Sequence, residues 1–215
     1  MKRTVFALVG ALFAASALPA FAASSLEVPT AATAPSVDPR ADSTTFDPAA
    51  VAQLSWDSTS SKAAPEDTTA RVSTDGKFLY VRFDATQSER IVSAQPADGR
   101  NGDLVWVELQ PGGSSATTYR FASSPDGSGA ASASSGTAPV FSSSGSTFDG
   151  GYTVTMKIPL AGLQSVPSGG TWNVQFGRAI VTSGTQLVWS HDGNVAQAGT
   201  MTMPASVGST GSAPQ

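Results

Sequence analysis

Thr69-Ala70-Arg71-Val72-Ser73-Thr74-Asp75-Gly76-Lys77-Phe78-Leu79-Tyr80-Val81-Arg82-Phe83 is the stretch on which the fold turns. Side chains of a β-strand point alternately to opposite faces. Leu79, Val81 and Phe83 therefore share one face of a strand, and Phe78, Tyr80 and Arg82 the other. Asp75-Gly76 between the two alternating runs is a hairpin signal, because both residues tolerate the positive φ of a type I′ turn. Two antiparallel neighbours are expected, Thr68 to Ser73 and Lys77 to Ala85.

Working outward, the same alternation, with β-branched and aromatic residues between turn formers, marks further strands. They are Ala52 to Trp56, Asp103 to Leu109, Ala116 to Ala122, Tyr152 to Ile158, Thr171 to Val181, Gln186 to Ser190 and Gly199 to Met203. Pro111-Gly112-Gly113 makes a looser turn ahead of the Tyr119 strand. Helix signals are almost absent, apart from a turn at Pro159 to Leu163. The expected class is all-β: an antiparallel two-sheet β-sandwich of about nine strands, jelly-roll or immunoglobulin-like, rather than a closed barrel. The Gly/Ser-rich stretch Ser123 to Gly150 is either a mobile surface excursion or carries one weak strand near Val140-Phe141.

The strand faces differ in chemistry. Val105, Val107 and Leu109 form an apolar face, with Leu104, Trp106 and Glu108 opposite. Tyr152, Val154, Met156 and Ile158 read as core, leaving Thr153, Thr155 and Lys157 outward. Trp172, Val174 and Phe176 share a face against Asn173 and Gln175. A wet sheet face carrying Lys, Asn and Gln follows.

The ends differ from the middle. Lys2 and Arg3, the apolar run Val5 to Leu18 and Ala20-Phe21-Ala22 have the order of a secretory signal peptide, residues 1–22, with cleavage expected after Ala22. The run is broken by Pro19 and falls short of the roughly 20 residues that span a bilayer. Residues 23–45, rich in Ala, Ser, Thr and Pro, read as a flexible leader, residues 46–203 as the folded domain and 204–215 as a disordered tail. Cleavage removes two basic groups and no acid, moving the net charge from −4 to −6. Nucleic acid is a poor partner for that balance, and no second apolar run could insert in a membrane. The chain has no cysteine, so disulfides, thiolate metal sites and a lipidated cysteine are excluded and the fold stands on its core. A periplasmic or secreted destination is expected.

Trp and Tyr beside hydrogen-bonding side chains suit sugar recognition. A pyranose stacks its C–H face on an aromatic ring, while its hydroxyls seek Asp, Asn, Gln or Arg. Gln87 to Asp103, with Glu89, Arg90, Gln95, Asp98, Arg100 and Asn101, is the densest polar cluster and a natural rim for a ligand site. Catalysis has little support. His191 is the only histidine, no Gly-x-Ser-x-Gly elbow occurs, and Glu108 has no visible carboxylate partner. The expectation is no enzyme and no required cofactor. Structural calcium is the metal that fits an oxygen-rich, thiolate-free chain, with Asp98, Asn101, Asp103 and Asp126 as candidate ligands.

The order of these motifs resembles family 9 carbohydrate-binding modules and their DOMON-like relatives over about Phe46 to Met203. Thr69 to Phe83 is similar to that family's opening pair of strands, Gly102 to Leu109 to its "D-x-v-x-v-x-l" strand, and Tyr119-Arg120-Phe121 to its "Y-x-F". Tyr152 to Leu160 is similar to its strand ending in Ile-Pro, and Trp172 to Arg178 to its "W-x-x-n-x-x-R", with Trp189 at the place of the last tryptophan. Lys157 and Met156 stand near the family's usual Glu, and Asn101-Gly102-Asp103 replaces a paired-acid motif. The resemblance implies a β-sandwich that holds sugar ends between aromatic rings, often with structural calcium. The reading is an exported, non-catalytic domain binding a poly- or oligosaccharide, with Trp106, Trp189, Arg100, Asp103, Asn101 and Tyr80 as the contacts. The alternative is a cell-envelope structural or interaction module with the same fold and no sugar site. Haem binding through Met156, Met201, Met203 or His191 ranks last.

Overall fold

The computed structural model describes residues 24–94, 101–112, 116–163, 170–191 and 196–205. Among them are fourteen strands and one short 3-10 turn. The first sheet runs β4 (Lys62–Ala63), β3 (Trp56–Asp57), β13 (Thr185–Val188), β12 (Thr171–Ile180), β7 (Leu104–Gln110), β8 (Tyr119–Ser123), β9 (Gly129–Ala133). Beyond the end of β13, β14 (Gly199–Thr202) pairs with the first half of β12, and β1 (Ser25–Glu27) pairs in parallel with β14. The second sheet runs β10 (Ser142–Phe148), β11 (Gly151–Pro159), β6 (Phe78–Thr86), β5 (Thr68–Thr74), β2 (Ala50–Gln53), all antiparallel. The two sheets make the expected all-β sandwich, with fourteen strands in place of about nine.

The alternation places the core as read. Leu79, Val81, Phe83, Val105, Val107, Leu109, Val154, Met156, Ile158, Trp172, Val174 and Phe176 are buried in one cluster between the sheets. Each large side chain so buried contributes about 1.5–3 kcal/mol. At the β5–β6 turn only Gly76 takes a positive φ, 85°. The Asp75 carboxylate accepts the amides of Lys77 (2.9 Å) and Phe78 (2.7 Å), so a side-chain cap replaces the expected type I′ geometry.

Two expectations change. The Ser123 to Gly150 stretch forms both β9 and β10, while Val140 itself is 92% exposed and lies outside them. Small residues are required there because backbones touch: a Cβ on Gly145 would overlap the Pro125 carbonyl, and one on Gly127 would meet Ser144 and Gly145 backbone. This contact joins the β8–β9 turn of one sheet to the edge strand of the other. The second change concerns the leader. Residues 25–27 are strand β1, and Val28, Ala31 and Phe46 are buried. The Ala31 amide donates to Thr74 O (2.7 Å), the Ser144 hydroxyl donates to Val37 O, and Arg82 Nη1 donates to Ala41 O (2.6 Å). Residues 31–42 thus cross the outer face of the second sheet as a strap. Backbone and side-chain hydrogen bonds order this segment where apolar periodicity gave no sign of it.

Carboxylates locked into turns make the fold sensitive to acid. Burial alone would raise Asp57, Asp75, Asp126 and Glu66, but hydroxyl and amide donors outweigh it and hold each below its ordinary value of 3.8 or 4.5. A depressed folded pKa gives stability that is present above the unfolded value and lost as pH falls through the folded one. The melting temperature should therefore hold down to about pH 4.5 and fall below it. Circular-dichroism melts between pH 7 and pH 2 check this, and a flat profile would contradict it.

Candidate functional site

The outer face of the first sheet carries the residues best placed to meet a ligand. Registers align Ala122, Trp106, Gly177, Val188 and Trp56 in one row across β8, β7, β12, β13 and β3. The indole of Trp106 lies over Gly177, where any Cβ would overlap its Cζ2 and Cε2. Leu104, Trp106, Ala122, Ala179 and Val188, with Trp56 packed against them, form a small apolar cluster on this face, separate from the core. Trp56 stacks on His191, with ring centroids 4.3 Å apart and planes 9° from parallel.

The neighbouring rows are polar. Arg120, Glu108 and Gln175 stand in one line, and Gln110, Asn173 and Thr200 in the next. Arg120 Nη1 donates to Glu108 Oε1 at 2.7 Å, and the guanidinium sits 4.5 Å from the Trp106 ring centroid. Trp106 is consequently only 6% exposed. Asn173 Nδ2 donates to Gln110 Oε1 at 3.0 Å. Gln175 Nε2 donates to Ser190 O (2.7 Å) and Gln197 O (2.6 Å), and its Oε1 accepts from Ser190 N (3.0 Å). That buried amide holds both ends of the 190–197 loop against the sheet. A groove of about 160 Å³ is left between Glu108, Gln110, Thr118, Asn173, Gln175 and Ala198.

The residues expected to form a sugar site do not converge. Trp106 lies beside the groove. Trp189 packs in the core, edge-on to Phe176 at 5.6 Å and against Gly199, because its strand face turns inward. Tyr80 is on the outer face of the opposite sheet, buried, with its hydroxyl on Asp75 Oδ2 at 2.9 Å. Asn101 is exposed in the turn before β7, and Arg100 and Asp98 lie outside the described residues. Asp103 is buried: Oδ2 accepts from Gln87 Nε2 (2.9 Å) and Val92 N (2.9 Å), and Oδ1 from Val181 N (2.8 Å). It anchors the Gln87 to Asp103 loop to the end of β12.

Both oxygens of Asp103 are taken by N–H donors, and Asp126 Oδ1 accepts from the Ser124 hydroxyl and Ser128 amide (2.9 Å). Among the described residues no group of three or more His, Cys, Asp or Glu is placed to hold a metal. Met156, Met201 and Met203 are core residues. Sequence reasoning had marked Glu108, Asn173 and Gln175 as polar outward residues. It missed Arg120, Gln110, Trp56 and Gly177, although each follows from the same alternation once the strands are paired.

Fold and face define a class: two-sheet β-sandwich domains presenting an aromatic row beside an amide-lined groove. No family model matches this sequence, and no curated protein is similar to it. Solved structures are similar. A protein from Bacteroides uniformis ATCC 8492 assigned as carbohydrate-binding matches with TM-score 0.66 at 16% identity, over 85% of this chain and 100% of its own. A family 9 carbohydrate-binding module from Caldicellulosiruptor kristjanssonii in complex with cellotriose matches with TM-score 0.61 at 12% identity, over 89% of this chain and 100% of its own. A family 9 module from the same organism in complex with glucose gives 0.59 at 13%, over 87% and 100%. The chain has the fold of family 9 carbohydrate-binding modules.

Proposed function

We propose that this chain is an exported, non-catalytic carbohydrate-binding β-sandwich whose sugar site is the groove beside Trp106. The observation that carries the reading is the groove lined by Glu108, Gln110, Asn173 and Gln175, one outward row from Trp106 and its Arg120 cover. A pyranose in the groove would turn its hydroxyls toward the carboxylate and amides, and Trp106 would hold Arg120, the partner of Glu108, at its edge. The cellotriose and glucose held in two solved structures of the same fold support a sugar as the occupant. Among the described residues Glu108 is the one carboxylate that lines the groove, which supports binding in place of hydrolysis. Affinity in the micromolar to millimolar range, about −4 to −8 kcal/mol, is expected once hydroxyl desolvation and association entropy are subtracted.

Calorimetric titration with cellotriose and a panel of oligosaccharides tests this. Trp106→Ala should weaken binding about tenfold or more. Absence of binding to every sugar at millimolar concentration, or unchanged binding in Trp106→Ala, would overturn it. Export is part of the proposal. Among the described residues no helix is long and apolar enough to cross a membrane, and the mature protein recovered outside the cytoplasm should begin at Ala23.

A further inference from the structure

The outer face of the second sheet is polar, cationic and covered. Registers place Ser73, Tyr80 and Lys157 in one row, and Arg71, Arg82, Thr155 and Ser144 in the next. Arg71 and Arg82 stand directly opposite each other, an arrangement that like charges disfavour unless an anion offsets them. Arg82 Nε meets Asp84 Oδ1 at 2.9 Å. Among the described residues Arg71 makes no ion pair, and its Nη1 is buried without a hydrogen-bond partner. Ser73 Oγ and Thr155 Oγ1 are buried and unpartnered beside it. Native proteins rarely leave such groups unpaired, and three lie in two adjacent rows.

The strap over this face carries Asp38 and Asp42 with Arg40 between them, a net charge of −1. The Thr44 amide first, and the Arg82 charge after it, hold the Asp42 carboxyl below its ordinary value. Among the described residues, two side-chain donors tie its middle to the sheet, Ser144 to Val37 O and Arg82 to Ala41 O. The cover therefore offers backbone carbonyls and carboxylates to the guanidinium groups while leaving the hydroxyls unsatisfied.

We propose that residues 32–42 are a built-in cover on a second ligand face, and that a carboxylate-bearing oligosaccharide displaces them to bind Arg71, Arg82 and Lys157. The carboxylate pairs with the guanidinium of Arg71, for which a planar fork is well matched. Sugar hydroxyls take the empty bonds of Ser73 and Thr155. The ligand class rests on the carbohydrate reading above, but the face lies on the other sheet.

The test is titration of the mature protein with trigalacturonate at low and high salt, with hydrogen exchange followed along the strap. Binding should weaken with salt, fall about tenfold in Arg71→Gln and stay unchanged in Trp106→Ala, while amides of 32–42 exchange faster on binding. Asp42→Asn, which loosens the cover without touching the sheet, should strengthen trigalacturonate binding. No binding at millimolar trigalacturonate, indifference to Arg71→Gln, weaker or unchanged binding in Asp42→Asn, or greater protection of 32–42 would each overturn the proposal. Cellotriose binding and its Trp106 dependence report separately on the groove, so either reading can fail without the other.

Discussion

Gly177→Val is expected to cost the domain about 3 kcal/mol and to abolish sugar binding at the groove. The β-carbon and its methyls would occupy the volume now filled by the Trp106 ring and push it outward, off the sheet and against the Arg120 guanidinium. Overpacking of this kind costs about 1–3 kcal/mol. Expelling the indole also forfeits its packing on Leu104, Ala122, Ala179 and Val188. Urea unfolding measures the first effect and calorimetry the second. Gly177→Ala should follow the same direction with a smaller loss. A variant that unfolds at the wild-type midpoint would show that Trp106 has another resting place.

Arg178→Met is expected to destabilise by about 3 kcal/mol, in the range seen when one member of a buried charged network is removed. Arg178 is 0% exposed between the sheets and makes no ion pair among the described residues. Nη1 donates to Thr68 Oγ1 and Nη2 to Gln87 Oε1, each at 2.7 Å, and the guanidinium lies 5.1 Å from the Tyr152 ring centroid. Gln87 passes the contact on to Asp103, so cation and carboxylate face each other across one amide. Burial drives the Tyr152 hydroxyl up to about 12 despite the nearby Arg178 charge, which keeps the ring neutral at ordinary pH. Removing the guanidinium leaves Gln87 Oε1 and the Thr68 hydroxyl unsatisfied and the Asp103 carboxylate without its nearest cation. Arg178→Lys should recover little, since one ammonium cannot reproduce the planar fork that reaches both acceptors. Denaturant unfolding of the two variants decides it.

The period-two pattern made the sheets legible because each strand buries one face. Leu79-Val81-Phe83 and Val105-Val107-Leu109 could be assigned before any pairing was known. Strands β9 and β10 were not legible: their Ala, Ser and Gly residues are chosen for close backbone approach at Gly127 and Gly145, which leaves no hydrophobic alternation. Strand β1 is three residues long and is defined by its partner, β14. The site was half visible. Outward Trp106, Glu108, Asn173 and Gln175 follow from alternation, but only cross-strand register puts them together with Arg120 and Gln110. The error at Trp189 and Asp103 has one cause. Both residue types suit sugar recognition, and composition cannot distinguish a ring at a surface from a ring against Phe176, or a free carboxylate from one holding three N–H donors.

The parallel seam between β1 and β14 ties Ser25 to Thr200, nearly the whole folded chain apart in sequence. A contact of that span forms late, since most of the intervening chain must be in place before its closure is repaid. During synthesis the first strand has no partner until the last has been made. Such a latch seals the sandwich only after the final strand is free to dock.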